Sequence, residues 1–296
     1  TINYFKKMSE EQNVSLFTYG DDAEKFGEWP FTHKWVYKKR WLENFFKTLV
    51  ANQDWLKTVT FSEYLDLERL EDKVCIPACS YKEMEEWSNG NWTNFLDKYP
   101  EADQMYKRMM CVSEGIEQKR IQAPENDSIK KALGELYKAQ TNCSYWHGVF
   151  GGIYLHHLRK AVYEHLINAE KIIDKLEYGH DKTRVNAGKL DSLKENDGRV
   201  IIEDKNFFIC VDALNGAVVR ELDYKPASLN LINTLSRRKE EYHALVHDGV
   251  KKADPRIKKG IFYDKYFRSS LVDHFIDKDL DVTSFERCNY SDLGCF

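Results

Sequence analysis

Two adjacent carboxylates, Asp21 and Asp22, are the side chains whose neighbours best equip them for chemistry. They follow the apolar run VSLFTY and Gly20, and they lead into Ala23, Glu24, Lys25, Phe26, Gly27, Trp29 and Pro30. A carboxyl group withdrawn from water beside aromatic walls holds its proton more tightly, which suits a general acid. The flanking rings offer a flat, weakly polar surface of the kind a sugar presents its face to. Two other uses of such a pair stay open. The aspartates could bond their own backbone as Asx turns. They could also hold a divalent cation, but the sequence does not identify the further oxygen ligands that this requires.

A second constellation is the run Asn142, Cys143, Ser144, Tyr145, Trp146, His147 and Gly148, followed by Gly151 and Gly152. Glycine at a helix entry costs about 1 kcal/mol relative to Ala, so Gly151 and Gly152 imply close approach of another backbone or of a ligand. Trp146 is then either a stacking platform or a packed core ring. His147 is either a partner for a sugar hydroxyl or a satisfied core histidine. His156 and His157 are neighbours on a helix and cannot face one site, so they are read as structural. A third group, Ser80 to Trp87, reads as a capped helix start with Glu83 at the capping-box position.

The elements that carry these groups can be read from periodicity. Ile2, Phe5 and Met8 have helical spacing, and Val14–Tyr19 reads as a buried strand ending at Gly20. Trp35, Leu42, Phe45, Phe46 and Leu49 share one helical face. Thr58–Phe61 and Val74–Ile76 are short strand candidates, with Ser62 as the N-cap of the helix between them. Strand alternating with helix predicts a parallel α/β sheet or barrel. From about Pro100 to Tyr178 the pattern is helical throughout, with one helix carrying Met105, Met109 and Val112, another over Ile129–Ala139 and a third over Phe150–Leu176. That is the pattern of a helical bundle. Gly179–Gly198 reads as a linker. Beyond it, RVIIE, NFFICVDA and AVVRELDY are β runs, and Asn215-Gly216 between the last two marks a hairpin.

The bulk composition of the 296 residues, 42% hydrophobic and 31% charged with net charge -4, is that of an ordinary water-exposed protein. It offers no argument for a nucleic acid or a membrane as partner, and no stretch approaches the roughly 20 apolar residues of a membrane span. Seven scattered cysteines favour reduced thiols and a cytoplasmic setting. Cys75 and Cys79 lack a second ligand pair at zinc spacing, so no metal and no cofactor is expected. The sequence begins at Thr1 and stops at Phe296 with both ends looking cut, as in a piece of a longer protein.

The blocks DDAEKFGEWP, PACSYKEMEEW and TNCSYWHGVFGGIYLHHLRKAVYEHLI, and the later ELDYKPASLNLINTLSRRKEEYH, together resemble glycoside hydrolase family 57, in its 4-α-glucanotransferase and α-amylase-like branch. The resemblance implies the C-terminal part of a (β/α)7 barrel over 1–105, a helical bundle over 106–185 and the first part of a β-sandwich over 186–296. It implies a retaining mechanism on α-glucans or maltooligosaccharides, with Asp22 as acid/base. Asp21, Glu24, Lys25 and Trp29 then line the site, and Trp146 and His147 cover the sugar from the bundle side. Ala23 stands where the family usually has Gly. The resemblance places the family's histidine-rich motif and nucleophilic Glu upstream, and no residue here matches them. A glycan-binding protein without catalysis is the alternative, a homo-oligomer is compatible, and transferase and hydrolase are not separated.

Overall fold

The computed structural model describes residues 2–12, 14–67, 75, 82–148, 151–178, 184–187, 198–240, 243 and 262–294. The chain divides into two units, 1–75 and 76–296. The first contains α1 (Ile2–Gln12), α2 (Trp41–Ala51) and α3 (Phe61–Leu67), linked by extended segments and short turns. Its described residues contain no β-strand. Val14–Tyr19 has no ladder partner among the described residues, and Thr58–Phe61 leads into α3, so neither forms the strand that its composition predicts. A strand is held by its ladder partners, and the described residues of this unit supply none. Val74 and Ile76 lie outside the described residues.

The helix expected over 35–49 is broken. Lys34–Lys38 forms a wide π turn and Arg40 takes a left-handed conformation, φ 58°, before α2 begins. Arg40 reaches forward to chelate Glu43 through Nε and Nη2, which fixes the break. Trp41 is thereby turned onto Trp35 and Phe45, at ring separations of 4.5 and 5.5 Å. The cap of α3 is Thr60 rather than Ser62. Its Oγ1 accepts from the Glu63 backbone N–H at 3.2 Å while Glu63 accepts from the Thr60 N–H at 2.7 Å, a capping box shifted by two residues.

In the second unit, α4 (Lys82–Trp87) and α5 (Asn94–Lys98) precede three longer helices, α6 (Pro100–Gln122), α7 (Asp127–Ala139) and α8 (His156–Tyr178). Pro100 sits in the first turn of α6, where its missing N–H costs nothing. Asn126 caps α7 by accepting from Ser128 and Ile129. The periodic residues Met105, Met109, Val112, Ile129, Leu136, Val162, Leu166 and Ile173 are buried together. Met84, Phe95 and Tyr99 join the same core, so residues 82–99 pack with the helices.

A five-stranded antiparallel sheet follows in the order β1 (Arg184–Ala187), β2 (Arg199–Glu203), β3 (Phe207–Asp212), β4 (Val218–Tyr224) and β5 (Leu229–Asn230). The three β runs form as predicted, but β1 lies inside the segment read as a linker. The last element is α9 (Val282–Glu286), capped by Asp281. Among the described residues no helix is long and apolar enough to cross a membrane.

The sheet meets the helices through charge. Strand β4 turns Glu221 and Asp223 inward, both with no exposed surface. Arg108 of α6 answers them. Its Nε donates to Glu221 at 3.0 Å, its two terminal nitrogens grip Glu170 of α8 at 2.7 and 2.5 Å, and its plane lies 3.6 Å over the Phe208 ring. Lys225 is equally buried and binds Glu203 and Asp174, with Glu170 at 3.8 Å. The carboxylates of Glu170, Asp174 and Glu203 could gather round a metal ion, but the Lys225 ammonium already supplies the cation there.

Removing the Arg108 side chain would strand these acids in a dry interior. We predict that Arg108→Ala lowers unfolding free energy by about 3–5 kcal/mol; an unchanged urea midpoint would refute the role given to this guanidinium. Burial, then the charges of Glu170 and Asp174, push the Glu203 carboxyl up to about 7 against the pull of Lys225. A carboxyl raised above its unfolded value of 4.5 stabilises fully below that value, and the contribution is lost as pH rises through about 7. Between about pH 5 and about pH 8 the native protein should therefore lose more stability than Glu203→Gln. Equal losses in parallel denaturation curves would contradict this.

Candidate functional site

The acid pair lies at the mouth of a tight turn. Asp22 is extended, φ −69° and ψ 129°, and caps a 3-10 turn over Ala23–Phe26. Ala23 lies in ordinary right-handed backbone, so the turn does not need the Gly that the family usually has there. Gly20 does not take a left-handed conformation either. The glycine the turn does need is Gly27, with φ 141° and a Tyr37 ring carbon 2.8 Å from where a Cβ would stand.

Lys25 separates the two acids chemically. Its Nζ lies 2.5 Å from Asp21 Oδ1 and 3.6 Å from Asp22 Oδ2. Asp21 also accepts the Asp22 backbone N–H at 2.9 Å. The Lys25 hydrogen bond holds the Asp21 carboxyl below its ordinary range, and Asp21 in turn raises Lys25. Asp21 is thus kept as a carboxylate. The Asp22 side chain is 61% exposed and opens to solvent, not into the apolar enclosure that the neighbouring aromatics predict. Lys25 stands 5.3 Å above the Trp29 ring, and Trp29 and Glu24 are both exposed.

The second set of predicted residues is built into the helical core of the other unit. Tyr145 donates to the Ala139 carbonyl at 2.8 Å, tying the turn 142–145 to the end of α7. Trp146 then runs extended and buries its ring, 9% exposed, with Phe95 5.5 Å away. His147 is 5% exposed, and its Nδ1 lies 3.0 Å from the Gly151 carbonyl oxygen. Burial lowers its pKa. Its ring packs on Tyr154 at 4.7 Å and Trp87 at 5.4 Å. Gly151 and Gly152 have φ 95° and 50°, and a Cβ on Gly152 would lie 2.2 Å from the Trp146 carbonyl oxygen. These two glycines delay the start of α8 to His156 and let the chain pass hard against the Trp146 backbone. His156 and His157 are exposed. Ser80 lies outside the described residues.

Sequence reasoning missed the acid behind this turn. Glu240, 3% exposed, accepts from Tyr99 at 2.9 Å and Tyr154 at 2.6 Å, and pairs with Lys98 at 2.8 Å. Burial opposes its charge, but these three donors hold it below its ordinary range. Arg238, two residues earlier, binds Glu101 at the start of α6. The only trace in the sequence is the run SRRKEEYH, which reads as a solvated charge cluster. Metal-ligand groupings among the described residues are confined to the Lys225 cluster already described.

Comparison with known proteins covers nearly the whole chain. Residues 1–78 match the family model for glycosyl hydrolase family 57. Residues 90–173 match the alpha-amylase/4-alpha-glucanotransferase middle domain, and residues 191–296 match the C-terminal domain of the same group. A 4-alpha-glucanotransferase of Thermococcus kodakarensis is 32% identical over all of this chain and 49% of its own length. An alpha-amylase of Pyrococcus abyssi is 31% identical over the same shares. The crystal structure of 4-alpha-glucanotransferase from Thermococcus litoralis superposes with a TM-score of 0.72 at 30% identity, covering 99% of this chain and 46% of that one. The chain spans about half the length of the curated relatives it matches.

The Gly152 contact yields a direct test of the turn. Gly152→Ala should cost about 1–3 kcal/mol through the clash with the Trp146 carbonyl and the left-handed backbone. A thermal midpoint equal to that of the parent would show that the turn relaxes freely.

Proposed function

We infer the function from one premise: the chain belongs to glycoside hydrolase family 57, in its 4-α-glucanotransferase and α-amylase-like branch. The reading is that it forms part of an enzyme acting on α-1,4-glucans with retention, as transferase or hydrolase. The observation that supports it is the unequal treatment of the acid pair. Asp21 is locked as a carboxylate by Lys25, whereas Asp22 is exposed at the cap of the turn and 3.6 Å from the same ammonium. A residue that gives and retakes a proton must reach the substrate oxygen, and Asp22 is the more open of the two, with 61% of its side chain exposed against 27% for Asp21.

In this mechanism Asp22 protonates the departing glycosidic oxygen. It then withdraws a proton from the acceptor, which is a sugar hydroxyl in transfer or water in hydrolysis. Asp21 and Lys25 fix the turn and its charge, and Glu24 and Trp29 line the approach. Retaining chemistry needs a second carboxyl about 5–5.5 Å away as nucleophile, and no residue of this chain is assigned that role. Trp146 and His147 are buried in the helical core of the second unit, and no sugar contact is assigned to them. No cofactor enters these steps.

In the full-length enzyme, Asp22→Asn should lower turnover of maltooligosaccharides on the order of 10²–10⁴-fold, with the circular dichroism spectrum unchanged. Wild-type turnover in that variant would overturn the assignment. Product analysis separates the two outcomes of the mechanism, because disproportionation lengthens some chains and hydrolysis lengthens none. Glucan binding by a full-length protein that turns nothing over would favour the non-catalytic alternative.

A further inference from the structure

A cavity of about 1060 Å³ opens between α7, α8 and the turn that joins β2 to β3. Its size is at the upper end of the roughly 300–1,000 Å³ of small-molecule sites. Six lysines line it, Lys131 and Lys138 from α7, Lys171 and Lys175 from α8, with Lys205 and Lys225 from the sheet side. Among the described residues the carboxylates in the lining are Glu135 and Asp174. In a chain of net charge -4 this is a marked local excess of positive charge.

The excess is not cancelled by ion pairing. Lys138 is paired with Glu135 at 2.6 Å, and Lys225 is held by Asp174 and Glu203. Lys131, Lys171 and Lys175 have no carboxylate partner among the described residues; Lys171 donates only to the Ser228 hydroxyl, at 3.2 Å. Lys171 and Lys175 are four residues apart on one face of α8, a like-charge spacing that destabilises a helix. An anion between the helices would relieve that repulsion.

The lining also narrows the kind of anion. Among the described residues it includes no Trp, Tyr or Phe, so a nucleobase finds no ring among them to stack on. Lysine ammonium groups act as point charges with three donors each and accept phosphate oxygens from many directions. Ser128 and Asn168 add neutral hydrogen-bonding groups, and Ile172 and Leu176 provide an apolar side. Gly134 faces open space, with nothing within 4 Å of where its Cβ would stand.

We propose that the cavity between α7 and α8 is a binding site for a compact phosphate-bearing polyanion, held chiefly by Lys131, Lys171 and Lys175. The source of the phosphate is either an inorganic phosphate chain or a phosphorylated sugar. The site is independent of the acid pair and of the glucan reading.

Isothermal titration calorimetry on the 296-residue chain tests it. Sodium tripolyphosphate and glucose 6-phosphate serve as separate probes at about 150 mM NaCl, where charges beyond about 8 Å are screened. One-site, saturable binding of at least one probe is expected, and which probe binds identifies the source. The double variant Lys171→Gln/Lys175→Gln should weaken it about tenfold or more. Gly134→Leu, which fills open space and improves helix propensity, should abolish it while circular dichroism stays unchanged. Absence of binding by both probes, or binding that both variants leave intact, would overturn the proposal.

Discussion

The second unit depends on a charge sealed inside it. Arg108 of α6 is 2% exposed and spans two elements at once, Glu170 on α8 and Glu221 on β4. Burying a guanidinium is costly unless each donor is answered, and here the answering groups come from the sheet and from another helix. The apolar residues of α6, α7 and α8 would pack in several registers, whereas an ionic contact at 3.0 Å admits one. Sheet and helices are therefore docked by charge geometry as much as by apolar area. Burial, then Glu221, drives the Asp223 carboxyl upward, and the Glu203 carboxyl moves in the same direction.

The same device recurs at smaller scale. Glu240 gathers Tyr99, Tyr154 and Lys98, linking the strand-following segment to the loop that carries Trp146 and His147. Asp264, with no exposed side-chain surface, is gripped by Arg237 and Arg268, and the paired charges hold its carboxyl down at about 2. In each case one carboxylate from a region of irregular chain is fixed by at least one donor distant in sequence. Loops with few backbone ladders acquire a defined path this way, because a buried acid tolerates few alternative positions.

The acid pair of the first unit follows the opposite logic. It is exposed, and its two members differ through a single neighbour. Lys25 four residues after Asp21 makes the strong contact, while Asp22 remains accessible one residue on. Adjacent side chains in extended backbone point to opposite sides, so one lysine cannot engage both equally. The preference for Asp22 as the proton carrier thus has a local geometric cause that adds to the family likeness.

Local order was legible in the sequence wherever a segment's own residues decide it. The helices carrying Met105, Ile129 and Val162 and the β runs around Asn215-Gly216 all appear where their sequence pattern puts them. The glycines at 151 and 152 announced a close backbone approach, and the approaching group is the Trp146 carbonyl. Other features needed the folded chain. Val14–Tyr19 has strand composition, but a strand exists only where a partner lies beside it. Arg40 breaks a periodic helix through its grip on Glu43, which periodicity does not register. The inward acids of β4 defeat an apolar alternation rule, because their partner Arg108 is more than a hundred residues away. The sequence by itself determined the elements and the family, since propensity, spacing and motif are local properties. Which carboxylates are buried, which stay open and which lysines share one cavity was decided by tertiary structure alone, because charge pairing acts through space and not along the chain.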